Sequence, residues 1–229
     1  MSLYDQIFAR RSVRRYDADP LSERELGEAE GHLKSIGQLP GQSARFEVVS
    51  GSEVKGGHAP HAILACADGG DASLANIGYA LQEADLWLQS KGYGSLWCGM
   101  ARPRAPRDGY RVMLEFGRTS EPPRSGEAEF RRRPAGDVSN EDNAVARAAR
   151  LAPSALNAMP WELEFSPGKV SVRRAPRGAG RIFAANLQRI DVGIAARHVA
   201  LALAHEGIGV SDIGFAGPGG GFAVEFHLV

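Results

Sequence analysis

The stretch GYALQEADLWLQSKGYG, Gly78 to Gly94, returns 115 residues later as GIAARHVALALAHEGIG, Gly193 to Gly209. No gap is needed, and six of the seventeen positions are identical: Gly78/Gly193, Ala80/Ala195, Leu86/Leu201, Leu88/Leu203, Gly92/Gly207 and Gly94/Gly209. Both copies carry the apolar spacing of a helix and end in Gly-x-Gly, glycine being favoured just past a helix C-terminus. Two such helices agree partly by chance. The same shift, however, lays FEVV (46–49) on WELE (161–164), so the preceding strand travels with the helix. A single offset that aligns both elements argues for an internally duplicated chain.

The elements around the two copies follow one order. Residues 3–10 read as a short helix with Leu3 and Ile7 on one face. Ser22 and Glu25 have capping-box spacing and open a helix from Glu23 to Ile36. RFEVVS (45–50), AILACA (62–67) and YRVMLEFG (110–117) read as strands. Residues 118–138 are rich in Pro, Gly and charge, the composition of a connecting arm. Beyond it, NAVARAARL (143–151) is helical, WELEF (161–165) and KVSVRR (169–174) are strand-like, and DVGIAARHVALALAHEGIG (191–209) is a long helix. GFAVEFHLV (221–229) closes the chain after the turn GPGGG, where glycine tolerates positive φ. The expected fold is α+β, with mostly antiparallel sheets flanked by helices. Residues 1–138 form one half with its arm, and 139–229 a shorter half packed closely against it. Such a chain can imitate a homodimer about a pseudo-twofold axis. An interface site would then have two versions, either of which can be lost.

The 229 residues are 43 % hydrophobic and 24 % charged with zero net charge, so no global field draws the chain to nucleic acid or anionic membrane. Cys66 and Cys98 form no CxxC pair. No run approaches the roughly 20 apolar residues of a membrane span. The expectation is a soluble, cytoplasmic protein without nucleic-acid or membrane partners.

Two stretches carry chemistry. ARRSVRRY (9–16) gathers Arg10, Arg11, Arg14 and Arg15 around Ser12; guanidinium forks with a hydroxyl suit a phosphate, and a solvated basic surface is the plainer reading. A second basic run, Arg131-Arg132-Arg133, lies in the arm. In LAPSALNAMPW (151–161), Ser154, Asn157 and backbone groups freed by Pro153 and Pro160 offer directed hydrogen bonds suited to the edge of a planar heterocycle. The plainer reading there is a helix stop leading into a strand anchored by Trp161. HAPH places His58 and His61 three apart with no further ligands marked, so no metal is expected. GxSxG and a strand–GxGxxG–helix context are both missing. Cys98 reads as a structural thiol.

RRSVRRY, APSALNAMPW and IGYALQEADLWLQSKGYGSLWCGM together resemble the FMN-dependent nitroreductase family, with its RRSxRxF/Y, its APSxxNxQPW and a long helix ending in GLG. The order departs from the usual one, since the long-helix motif precedes APSxxN; the duplication accounts for this. The chain thus resembles the internally duplicated, single-chain branch of the family, a monomer acting as a pseudo-dimer. The resemblance implies that Arg10, Arg11, Ser12 and Arg14 hold the phosphate and ribityl of FMN. Pro153, Ser154, Ala155 and Asn157 from the second half would line the same flavin. The loop at Cys98 and Gly99 would approach flavin N5. The late basic residues that finish the phosphate site are most like the run of arginines, with Arg131 and Arg133 as candidates; which of the run points inward is not legible. The implied activity is NAD(P)H oxidation by ping-pong hydride transfer through flavin N5, without a catalytic side chain, to a small organic acceptor such as a nitroaromatic or quinone. A flavin-binding protein without efficient turnover is the alternative, and a basic-tipped nucleic-acid binder a third. At the shifted position the first half has GQLPGQSARF (37–46) instead of APSALNAMPW, and the second half has no RRSxR. One flavin site per chain is therefore expected. Met159 stands where the family commonly has Gln.

Overall fold

The computed structural model describes residues 1–175, 185–217 and 221–229. Five helices, α1 (Leu3–Ala9), α2 (Glu23–Ser35), α3 (Asp71–Ser90), α4 (Ala144–Arg150) and α5 (Ala185–His205), pack with two four-stranded sheets. Ser22 and Glu25 do form the capping box of α2, and Ser2 and Asp5 form a second one on α1. The first sheet holds β1 (Arg45–Ser50), β3 (His61–Cys66), β4 (Gly94–Cys98) and β6 (Tyr110–Gly117), in the order β1-β3-β6-β4. A two-residue pair, β2 (Val54–Lys55) with β5 (Arg102–Pro103), stands apart from it. The second sheet holds β7 (Trp161–Ser166), β8 (Lys169–Arg174), β9 (Val210–Ala216) and β10 (Ala223–Leu228), in the order β7-β8-β10-β9. All the pairings within both sheets are antiparallel. In each sheet the third strand of the chain lies outside the fourth, so the two have one topology.

All of β3 is buried, because Ile63 and Ala65 face the main core while Ala62 and Leu64 face a small second one. Trp161 is fully buried, as its place at the start of an alternating strand implied. The strands β4 and β9 were not read from the sequence: β4 begins on the last glycine of its helix-ending Gly-x-Gly and β9 directly after the second one, β4 pairing with β6 and β9 with β10, the next strand of the chain. α5 also begins six residues before the apolar run starting at Asp191. The turn expected at 217–221 falls mainly outside the described residues.

α3 and α5 cross at the centre of the molecule, and glycine permits the approach. A Cβ on Gly78 would lie 1.9 Å from the Ile190 carbonyl oxygen, and one on Gly193 would lie 1.8 Å from that of Ala75. At the offset of 115, Gly193 corresponds to Gly78 and Ile190 to Ala75, so each contact is the image of the other. Two polar contacts repeat the relation. Arg197 Nη1 pairs with Glu83 Oε2 at 2.8 Å, and Gln82 Nε2 meets His198 Nε2 at 3.2 Å. Gln82 corresponds to Arg197 and Glu83 to His198. Residue i against j, and j against i, is the pattern of a twofold interface, here within one chain.

His198 is fully buried in this crossing. Its Nδ1 lies 2.9 Å from the Ala148 carbonyl oxygen, to which a neutral ring donates. Nε2 is then left to accept from Gln82, whose own oxygen accepts from Trp97 Nε1 at 3.1 Å. Burial pushes the His198 imidazole down to about 3. Since the unfolded ring titrates near 6.5, the unfolded chain takes up a proton that the folded one refuses. His198 therefore leaves stability intact above about pH 6.5 and removes up to about 1.4 kcal/mol per pH unit as pH falls toward 3. Urea unfolding at about pH 7 and about pH 5 is expected to show a shallower pH slope for His198→Gln than for the unaltered protein. Identical slopes would remove His198 as the cause.

Candidate functional site

α1 stops at Ala9, and Arg10 leaves the helix with φ −58 and ψ 138. The chain then runs along the edge of the first sheet, the Val13 N–H donating to the Ser95 carbonyl at 3.0 Å. Arg10 and Val13 turn inward, whereas Arg14 and Arg15 face solvent. Arg10 is 1 % exposed, and its Nε donates to Asp85 Oδ2 at 2.6 Å. Its Nη2 reaches Ser12 Oγ at 3.4 Å. Arg11 Nη1 donates to the Pro122 carbonyl at 2.8 Å, and its backbone N–H to Gln89 Oε1 at 2.9 Å.

The 118–138 arm folds back over this motif. The Asp17 N–H donates to the Arg118 carbonyl, Thr119 Oγ1 to that of Arg15, and the Arg124 N–H to that of Ala9. Phe130 lies against the guanidinium groups of Arg124 and Arg132, 4.1 and 5.3 Å from its ring centre. From there Arg132 reaches the second half: Nη1 donates to Asn157 Oδ1, and Nη2 to the Leu151 carbonyl at 2.9 Å. Asn157 Nδ2 returns a bond to the Arg131 carbonyl at 2.8 Å. The N-terminal motif, the basic run and the 151–161 loop thus meet in one neighbourhood.

Within the basic run, it is Arg132 that turns inward. Arg131 is exposed, and Arg133 faces the Met159 and Asp137 carbonyls, its N–H meeting the Met159 sulfur at 3.4 Å. Burial, with the positive charges of Arg10, Arg124 and Arg150, presses the Arg132 guanidinium down to about 9. Its Nε is buried and lacks a hydrogen-bond partner. A crowd of like charges with an unspent donor is the electrostatic setting that an anion relieves.

The loop itself is tightly wound. Leu156, Asn157 and Met159 hold left-handed backbone, with φ of 55, 54 and 47. For residues other than glycine this costs on the order of 1–3 kcal/mol each, and such strain collects at binding sites. Pro153 is buried, while Ser154 Oγ accepts from the Met159 N–H at 2.9 Å and so closes the turn on itself. The Ala155 N–H donates into the protein, to Asp191 of α5.

On the other side of the motif, Cys98 ends β4, paired with Met113, and Gly99 begins the loop after it. The Cys98 thiol is pushed up to about 12, by burial first and by Glu115 next, with Arg14 opposing. It is therefore a neutral thiol at ordinary pH, and Arg14 is its charged neighbour. A Cβ on Gly99 would lie 3.2 Å from Leu187 of α5. His61 is committed to the fold, its Nε2 accepting from the Leu21 N–H at 3.0 Å. Among the described residues no group of three His, Cys, Asp or Glu is arranged for a metal ion, and no helix is long and apolar enough to cross a membrane.

Residues 2–203 match the family model described as “Putative TM nitroreductase”. No curated protein matches the chain in sequence. A crystal structure from Thermotoga maritima, described as a “putative nitroreductase”, is similar with a TM-score of 0.72 and 21 % identity, covering 100 % of this chain and 94 % of that one. A nitroreductase family protein from Clostridium difficile is similar with a TM-score of 0.50 and 20 % identity, covering 62 % of this chain and all of that one. A structure from Desulfovibrio desulfuricans, described as a “putative nitroreductase in complex with FMN”, has a TM-score of 0.45 at 20 % identity, covering 62 % and 96 %.

Proposed function

This chain belongs to the nitroreductase family, a class of oxidoreductases, and from that premise we propose that it binds one FMN and oxidises NAD(P)H at the expense of a small organic acceptor. What supports the reading is one observation: Arg132, with its unpartnered Nε, joins Asn157 of the second half to the neighbourhood of Arg10. The residues fit an anion-headed, planar ligand. Arg132, Arg11 and Ser12 would take the phosphate, with Arg10 holding the motif in place through Asp85. The strained 153–157 loop would offer its edge to the ring, and Arg14 with Gly99 would flank the ring from the first half. Bound flavin would supply hydride acceptance at N5 and electron delivery to a nitroaromatic or quinone. The protein's share is to hold the ring, crowd positive charge about the phosphate and keep Cys98 a neutral, unreactive thiol.

We propose further that the chain serves as its own dimer, an idea that draws support from the mirrored contacts of α3 and α5. The second, image site would then be filled by protein. Arg197 occupies that side of the crossing, donating to the Tyr79 and Gly37 carbonyls at 2.9 and 2.7 Å and stacking 3.6 Å from the Tyr79 ring centre.

Titration of the purified protein with FMN, followed by flavin fluorescence, is expected to saturate at one per chain. Two would refute the filled image site. Asn157→Ala and Arg14→Ala should each weaken the affinity about tenfold, the worth of one charge-assisted hydrogen bond. Full affinity in either variant would undo the two-half assignment. Stopped-flow bleaching by NADH or NADPH completes the test: a bound flavin that stays oxidised under excess nicotinamide supports a binder without turnover.

A further inference from the structure

Asp191 lies on the buried face of α5, 4 % exposed, beneath the strained loop. Both of its oxygens face one donor: the Ala155 N–H lies 3.1 Å from Oδ1 and 3.3 Å from Oδ2. Among the described residues, the arginines of α4, α5 and β8 all have partners of their own. Arg189 pairs with Asp71 of α3, and Arg197 with Glu83 of α3. On α4, Arg147 and Arg150 pair with Glu127, while Arg174 of β8 donates to Gln188.

The first half shows what the position requires of structure alone. At the offset of 115, Asp191 corresponds to Asn76 of α3. Asn76 Oδ1 accepts the Leu39 N–H at 2.8 Å, and thereby holds the 37–43 loop that stands where the second half has APSALNAMPW. A neutral amide is enough to anchor that loop. The second half puts an ionisable acid in the same place, under the loop that retains the binding motif. A carboxylate there would have one N–H for two oxygens and, among the described residues, no cation paired with it, which low-dielectric surroundings penalise heavily.

We propose that Asp191 is a positioning residue that works as a proton-operated latch: as an uncharged acid it seats the Ala155 N–H and holds the 151–160 loop down, and loss of its proton releases the loop. Burial raises the Asp191 carboxyl to about 8, the Ala155 hydrogen bond being the opposing influence. When the loop lifts and water enters, the group returns toward its ordinary value of about 3.9. The latch is therefore at full strength below about pH 4 and is lost as pH rises through about 8. Over that window each pH unit favours the open loop by about tenfold. The inference rests on the proposed cofactor reading for its consequence, that flavin affinity declines toward alkaline pH, and not for its mechanism.

The test uses the full chain without cofactor. Hydrogen exchange is followed at the amides of Asn157, Ala158 and Met159, which bond within the loop. Exchange should rise about a hundredfold per pH unit between about pH 5 and about pH 8: tenfold from hydroxide catalysis and tenfold from opening. In Asp191→Asn, which keeps the acceptor as Asn76 does, the rise should be about tenfold. Equal slopes in the two proteins overturn the latch. Should the variant fail to fold, the infrared band of a protonated carboxyl in the unaltered protein decides: it must persist at about pH 7 and titrate away near 8. Its absence at neutral pH overturns the proposal. A hundredfold slope in a protein that does not bind FMN would keep the latch and discard the cofactor reading.

Discussion

Gly193→Ala is expected to lower the unfolding free energy by at least about 3 kcal/mol, and Gly193→Val to leave little soluble protein. The added methyl would sit 1.8 Å from the Ala75 carbonyl oxygen and 2.6 Å from its carbon, atoms of a rigid helix backbone rather than a side chain that can swing aside. Relief requires α3 and α5 to separate, and these two helices carry the central packing between the two sheets. The same substitution in α2 should have the opposite sign. A Cβ on Gly27 or Gly31 meets nothing within 4 Å, so alanine there removes unfolded-state entropy and gains roughly 0.4–1 kcal/mol. Urea midpoints of Gly193→Ala and Gly27→Ala against the unaltered protein check both directions at once. A Gly193→Ala midpoint at or above the original would mean that the crossing is not this close.

Asp85→Ala is expected to cost about 3–5 kcal/mol, because it strands the Arg10 guanidinium in the interior. Asp85 is fully buried and accepts from Arg10 Nε, from Gln89 Nε2 at 3.1 Å and from Ser95 Oγ. It is thus the point at which α1, α3 and β4 are tied together. Removing both charges should hurt less than removing one: Arg10→Met with Asp85→Leu replaces the pair by apolar volume and leaves no buried charge behind. Chemical unfolding of the two single variants and the double variant tests this. Strict additivity would mean that the pair does not interact as its geometry implies. The consequence reaches the candidate site as well, since Arg10 begins the motif and its carbonyl accepts from Arg124 in the arm.

Much of this was legible along the chain. The offset of 115 paired α3 with α5 as equivalent helices, because helical spacing and helix-ending glycines are local features; that the two cross was not read. Asn76 and Asp191 could have been paired from that alignment alone: both are polar residues on otherwise apolar helix faces. The capping boxes of α1 and α2 are local in the same sense. Arg132 was beyond reach. Three consecutive arginines in an irregular arm have no periodicity to say which one turns in, and only the Phe130 ring, the Leu151 carbonyl and Asn157 select it. Arg10 was expected, from the resemblance, to hold the phosphate; that its guanidinium is buried against a carboxylate 75 residues away was beyond any local pattern.

The sequence by itself determined most of the elements, their repeated order and the two loops proposed to bind, since each depends on neighbours within a few residues. The tertiary structure alone decided which arginine keeps an unpartnered Nε, which carboxyl lies buried and which half's loop is held by an acid. Those properties are set by burial and by charges brought together from distant parts of the chain, and no local pattern encodes them.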